Sequence, residues 1–198
     1  MEGLGWIEVI TGCMFSGKTE ELIRRLRRAQ YARQAVIVFK PDIDNRYADD
    51  AIGSHAGRLL RSVNVRDASE IPRRAGQARV VGIDEAQFFD PGVVDVAEQL
   101  ANEGRRVIVA GLDTDYQGRP FGPMPSLLCK AEYISKYLAI CVVCGAPADR
   151  SQRVVHRDRL VLVGATDAYE ARCRRHWDPD CFEPVQERLA LGPNLAEE

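Results

Sequence analysis

No apolar run in this 198-residue chain approaches the length of about 20 residues that a helix needs to cross a bilayer. The opening MEGLGWIEVI also lacks the basic-then-apolar layout of a secretory leader. Neither a membrane anchor nor export is expected, and the expected location is cytoplasmic. A dominant sign of charge is missing too: 27 Lys plus Arg stand against 29 Asp plus Glu, for a formal net charge of −2. Residues 1–138 hold 19 basic and 19 acidic side chains and the remainder holds 8 and 10. Neither part offers a broad phosphate-backbone surface, so no nucleic-acid partner is expected. Lysine is scarce, 4 against 23 arginines, a bias attributed to genomic base composition. The run RRLRR at 24–28 reads as the solvated face of a helix. Repeats and low-complexity segments are absent as well. What is left, 45% hydrophobic and 28% charged, can bury a real core.

Against these absences stands the octet GCMFSGKT at 12–19. The spacing G-x-x-x-x-G-K-[ST] lets the chain turn tightly, so that successive backbone N–H groups point at phosphate oxygens. Lys18 is placed to reach the terminal phosphates, and the Thr19 hydroxyl can join the oxygen shell of Mg²⁺. WIEVI before the loop suits a buried strand, and the helix after it places Leu22, Ile23, Leu26 and Ala29 on one face.

Further strands are expected at 35–40, 79–84 and 105–113, with PDIDNRYADD at 41–50 as a loop. Between the last two strands, PGVVDVAEQLANEG reads as a helix with Val94, Ala97, Leu100 and Ala101 on one face. The alternation predicts an α/β fold with a largely parallel sheet, and AEYISKYLAI at 131–140 is expected to give a last core strand. After residue 140 the texture changes to cysteine pairs, arginines and a short apolar strand at 159–164. The expected division is therefore an ATP-binding α/β domain at 1–139, a small domain at 140–192 and a flexible tail at 193–198.

In VVGIDEAQFF the apolar run delivers Asp84 and Glu85 to the strand's C-terminal end, where open α/β sheets place ligands. Asp84 fits the acidic position that holds Mg²⁺ in P-loop enzymes. Glu85 can serve as general base. If it activates water the protein is an ATPase coupled to nucleic acid, and if it activates a substrate hydroxyl it is a kinase; these residues alone leave both open. CVVC (Cys141, Cys144) and CRRH (Cys173, His176) can close a tetrahedral Cys₃His structural zinc site, with Cys181 as a competitor for the fourth position. A nucleic-acid-gripping zinc module is a further reading, which the slightly acidic balance there opposes. Cys13 and Cys129 have no spaced partner and read as packing residues.

GCMFSGKT, IDEAQFF, GLDTDYQGRPFG, CVVC and YEARCRRH, in this order from about residue 7 to about residue 176, resemble the type II thymidine kinases. The resemblance implies a RecA-like P-loop domain with a mainly parallel sheet and a zinc-binding domain carrying a lasso loop. It implies ATP-dependent phosphorylation of the thymidine 5′-hydroxyl to dTMP in deoxynucleoside salvage, a homotetramer, and feedback inhibition by dTTP. Deoxyuridine is expected to be a poorer substrate. On this resemblance Glu85 is the catalytic base, and Gly12, Met14, Phe15, Ser16, Gly17, Lys18, Thr19, Asp84 and Gln87 serve ATP and Mg²⁺. Arg46 lies near the transferred phosphate. Met14, Phe88, Leu112, Tyr116, Phe121 and Ser151 wall the nucleoside, and Leu162, Gly164 and Tyr169 belong to the lasso. The sequence departs from the family at Cys13, Gln117, at 149–151 and at Ala165, the last two touching base selectivity and lasso geometry.

Overall fold

The computed structural model describes residues 4–42, 51–53, 59–155 and 168–182. The expected strand at 159–164, the tail at 193–198 and all of the 41–50 loop except Pro41 and Asp42 lie outside them.

The phosphate-loop unit comes first: strand β1 (Trp6–Gly12), the loop, then helix α1 (Lys18–Tyr31). Gly17 caps α1 in the left-handed region at φ 82°, which a glycine adopts without strain. Glu20 and Glu21 in the first turn and Arg28 in the last suit the helix dipole. Leu22, Ile23, Leu26 and Ala29 are buried as the period predicts. Arg25 departs from the expected solvated face. At 14% side-chain exposure it is bound by Glu21 at 2.7 Å and Glu8 at 2.7 Å, tying α1 to β1.

The chain continues through β2 (Val36–Pro41), the short pair β3 (Ala51–Gly53) and β4 (Leu59–Arg61), β5 (Val63–Val65), α2 (Glu70–Ala75) and β6 (Val80–Ile83). A 3₁₀ turn (Ala86–Phe88), α3 (Val93–Asn102), β7 (Arg106–Gly111), α4 (Met124–Lys130) and β8 (Tyr133–Tyr137) follow. One six-stranded sheet orders these as β5-β2-β6-β7-β1-β8, and every pairing in it is parallel. Strand alternation sends residues to two faces. Ile10, Val38, Val80, Ile108 and Ala110 meet α1, while Val9, Phe39, Val81, Ile83, Val107 and Val109 meet α2, α3 and α4. Both faces are thus covered, which explains why the strands read as nearly continuous apolar runs.

Three expectations shift. Helix α3 begins at Val93, so its buried face is Val93, Val96, Ala97 and Leu100, with Val94 and Ala101 only half-buried. Segment 131–140 closes the sheet as its edge strand, with Tyr133 60% and Ile134 54% exposed. Cys13 is buried, but Cys129 lies on the outer side of α4 and is exposed, because that short helix buries only Met124 and Leu127.

Beyond the large sheet, β9 (Ala139–Ile140) pairs with β10 (Pro147–Ala148), and β11 (Arg150–Arg153) pairs antiparallel with β12 (Tyr169–Arg172). Gln152 fastens β11 to the segment after the last cysteine pair. Its amide donates to the carbonyls of Asp178 and Cys181, each at 2.6 Å, and accepts from Asp178 N–H at 2.8 Å.

Candidate active site

The carboxyl ends of β1, β6 and β7 meet at one rim of the sheet, as expected where open α/β sheets place ligands. At β1 the loop turns at Gly12 (φ 142°), where a Cβ would stand 2.1 Å from the Tyr137 carbonyl. No other residue fits there. The Ser16 hydroxyl and the Lys18 ammonium both donate to the Cys13 carbonyl, at 2.8 and 2.7 Å. Phe15 takes a left-handed conformation (φ 64°), uncommon for a non-glycine residue, and is 45% exposed. Burial pushes the Lys18 pKa down, opposed by Glu85, Cys13, Asp84 and Asp113 around it.

At the end of β6 Asp84 is buried, and burial followed by repulsion from Glu85 lifts its pKa well above the usual carboxylate range, against Lys40 and Lys18. Glu85 itself is left-handed (φ 53°, ψ 39°). A β-carbon residue held there stores strain of order 1–3 kcal/mol, of the kind found at functional sites. Gln87, expected among the nucleotide-binding residues, bonds to Glu85 and Leu112: its amide N–H donates to Glu85 Oε2 at 2.6 Å, while its carbonyl accepts from Leu112 N–H at 2.9 Å. The buried amide therefore joins the end of β6 to the end of β7.

Phe88 and Phe121 meet edge to face, ring centroids 5.4 Å apart. Met14 N–H donates to Ser151 Oγ at 3.0 Å, and the Cys13 thiol donates to the Ala148 carbonyl at 3.3 Å, so the phosphate loop and the β10–β11 region share hydrogen bonds. Trp177 Nε1 donates to the Tyr116 carbonyl at 3.2 Å, and the same indole packs where a Cβ on Gly118 would fall 2.8 Å from it. Tyr169 stands opposite Arg153 in the β11–β12 pair. Thr19, Leu112 and Tyr116 are half-buried at this rim. Arg46, Leu162 and Gly164 lie outside the described residues.

The sequence reading missed two residues. Asp113, just past β7, holds Lys136 at 2.6 Å and keeps its other oxygen buried without a partner among the described residues; its place after a central parallel strand was the available signal. Arg153 is 1% exposed, and no spacing pattern pointed to it.

The cysteine–histidine cluster assembles Cys141, Cys144, Cys173 and His176, whose ligand atoms lie within 4.8 Å of one another. Cys144 and Cys173 sulfurs are 3.8 Å apart, and His176 Nδ1 is 3.4 Å from Cys173 and 3.8 Å from Cys141. Four ligands about 2.3 Å from a tetrahedral Zn²⁺ would stand about 3.8 Å apart, so the spacing and donor set fit zinc. Backbone N–H groups of Cys173, Val143 and Cys144 and the His176 ring outweigh burial and bring the Cys141 thiol down to about 6, favouring the thiolate a metal needs. Cys181 is not in the cluster; its carbonyl serves Gln152.

A family model described as thymidine kinase matches residues 5–177. The chain is similar to the thymidine kinase of Rhodothermus sp. (strain ITI 518), 60% identical over 181 residues that cover 91% of this chain and 83% of that protein. It is also similar to the thymidine kinase of Bdellovibrio bacteriovorus (strain ATCC 15356 / DSM 50701 / NCIMB 9529 / HD100), 56% identical over 182 residues, 91% and 89% of the two chains.

Proposed function

Because the chain belongs to the thymidine kinase family, we propose that it transfers the γ-phosphate of ATP to the 5′-hydroxyl of thymidine, giving dTMP and ADP. The observation that carries this reading is Glu85: a strained carboxylate at the end of β6, held by Gln87 to the chain of Leu112 and within electrostatic reach of Lys18. Glu85 takes the proton of the 5′-hydroxyl as its oxygen attacks the γ-phosphorus, and Lys18 offsets charge on the phosphoryl oxygens. The 12–19 loop cradles the phosphates. Asp84 and the Thr19 hydroxyl are the oxygen donors that would hold Mg²⁺, which supplies charge neutralisation on the nucleotide. Arg46 is assigned to the transferred phosphate by resemblance alone.

Met14, Phe88, Leu112, Tyr116, Phe121 and Ser151 form the nucleoside wall on this reading, with Leu162, Gly164 and Tyr169 closing over the base. An apolar wall accepts the thymine methyl, yet one methyl is worth only about 1–3 kcal/mol, so deoxyuridine is a poorer substrate and not an excluded one. Zinc in the Cys₃His cluster is structural: four protein ligands leave no open position. The division at residue 139 and a cytoplasmic location belong to the same proposal. A homotetramer is supported by the outer edge of β8, unpaired among the described residues, with exposed Tyr133 and Ile134 on it and Leu138 and Ile140 just beyond it. Feedback by dTTP follows if one molecule occupies the nucleoside wall and the phosphate loop together.

The test is Glu85→Gln assayed with Mg-ATP and labelled thymidine. We expect turnover to fall by about 10²- to 10⁴-fold with ATP binding retained. Unchanged turnover removes the base assignment, and ATP consumed with thymidine recovered intact removes the kinase reading.

A further inference from the structure

Trp177 stands immediately after His176 of the cysteine–histidine cluster, and its backbone is fixed on both sides. Its own N–H donates to the Cys173 carbonyl at 3.0 Å, within the turn that carries the second pair of ligands. At the next residue the N–H and the carbonyl of Asp178 are both held by the Gln152 amide on β11, at 2.8 and 2.6 Å. An indole on a backbone pinned at two neighbouring points keeps little freedom beyond its own two side-chain torsions.

What that ring touches lies far away in the sequence. Its Nε1–H donates to the Tyr116 carbonyl at 3.2 Å. Its benzo edge fills the space beside Gly118, where a Cβ would stand 2.8 Å from it, and the Arg150 guanidinium lies over the ring, 5.5 Å from the centroid. Tyr116 and Gly118 belong to a turn that is bonded within itself. The buried Asp115 carboxylate accepts from the N–H groups of Gln117 and Arg119, each at 2.9 Å. The Asp115 N–H donates to the Arg119 carbonyl at 2.9 Å, the Gly118 N–H donates to the Asp115 carbonyl at 3.0 Å, and Thr114 bridges Pro120 across the base. Tied in this way, the turn can shift only as a unit about its base, where Leu112 and Asp113 join it to β7. Its tip is gripped by Trp177, and the Tyr116 ring stacks on Arg153, 4.8 Å from the guanidinium carbon.

We propose that Trp177 is a positioning residue for the nucleoside: through this indole the cysteine–histidine cluster sets where the 114–120 turn holds Tyr116 against the substrate. This role rests on the proposed place of Tyr116 in the nucleoside wall. It gives the cluster a direct hold on thymidine binding that it does not have on ATP, because the phosphate loop takes its cross-chain bonds from Ser151 and Ala148 instead. An indole that served packing alone would cost stability when altered and would not separate the two substrates.

The experiment measures binding of thymidine and of Mg-ADP by calorimetry for the full-length zinc-loaded chain, unmodified and as Trp177→Phe, Trp177→Leu and Tyr116→Leu. Trp177→Phe keeps an aromatic ring and deletes the donor. It is expected to weaken thymidine binding by about 3- to 10-fold, the worth of one neutral hydrogen bond, with Mg-ADP binding and zinc content unchanged. Trp177→Leu, which also removes the stack with Arg150, should lose more. The chain holds two tryptophans, so in a Trp6→Phe background Trp177 is the sole indole, and its emission should shift when thymidine binds. Unchanged thymidine binding in both Trp177 variants overturns the proposal, as does a loss of equal size for thymidine and Mg-ADP. Should the Trp177 variants fail to fold, the emission in Trp6→Phe decides: a shift on adding thymidine supports the proposal and a constant emission overturns it. Weakened thymidine binding in Tyr116→Leu beside normal binding in the Trp177 variants removes Trp177 alone, while normal binding in all three removes Tyr116 from the nucleoside wall with it.

Discussion

Replacing Gln87 by methionine keeps its length and removes both of its bonds. The contact with Glu85 is charge-assisted, and such bonds contribute about 1.5–3 kcal/mol, while the neutral bond from Leu112 N–H contributes about 0.5–1.5 kcal/mol. Glu85 is half-buried and water can replace its lost donor, so the lower end applies to that bond. We expect about 2 kcal/mol of destabilisation in total, read as a lower urea midpoint at unchanged slope. The larger effect falls on turnover. A carboxylate freed from its tether leaves the attacking geometry, and a misplacement of about 1 Å costs about 100-fold. Thymidine phosphorylation by Gln87→Met should therefore drop by one to two orders of magnitude, about 10- to 100-fold, with the KM for ATP little changed. Gln87→Glu, which sets a second carboxylate against Glu85, should lose more. Wild-type turnover in a destabilised Gln87→Met protein would refute the claim that this amide positions the base, and wild-type stability as well would refute the bonding scheme.

Metal analysis should return about one zinc per chain, and chelation should lower the melting temperature before any effect on chemistry is separable, since structural zinc contributes directly to folding; a stable metal-free protein contradicts this. Arg24 first and then Arg25 hold the Glu21 carboxyl down at about 2 against an ordinary 4.5. A depressed carboxylate contributes stability above its unfolded value and loses it as pH falls through the folded one, so that contribution fades from about pH 4.5 toward 2. Glu21→Gln should flatten this part of the acid denaturation curve, and an unaltered curve counts against the pairing. Gly118→Ala should destabilise through both its positive φ and the 2.8 Å approach to Trp177, with Trp177 fluorescence as the probe of a displaced indole.

Helix α1 was legible because its buried face repeats at the helical period and its start is fixed by the loop, and the four buried apolar positions came out as read. In α3 the proline and glycine at 91–92 precede the first helical residue, and that small shift in phase moved the face from Val94 to Val93 and Val96. Whether a strand is central or at an edge depends on its neighbours, so residues 131–140 gave their strand but not its exposure. The place of Asp84 and Glu85 at the end of β6 and the grouping of Cys141, Cys144, Cys173 and His176 were legible because both lie in local spacing. Gln87 touches Leu112 and Arg153 stacks on Tyr116, contacts that no local pattern carries. Arg25 was misjudged for the same reason: only the fold brings Glu8 beside it.

The amide of Met14 reaches across 137 positions of chain to a hydroxyl on β11. One donor of the loop proposed to cradle the phosphates is thus committed to a foreign strand, which couples the two mechanically. Solvent deuterons exchanging at Met14 and along β11 should keep common time, and a nucleotide bound at the loop should slow both.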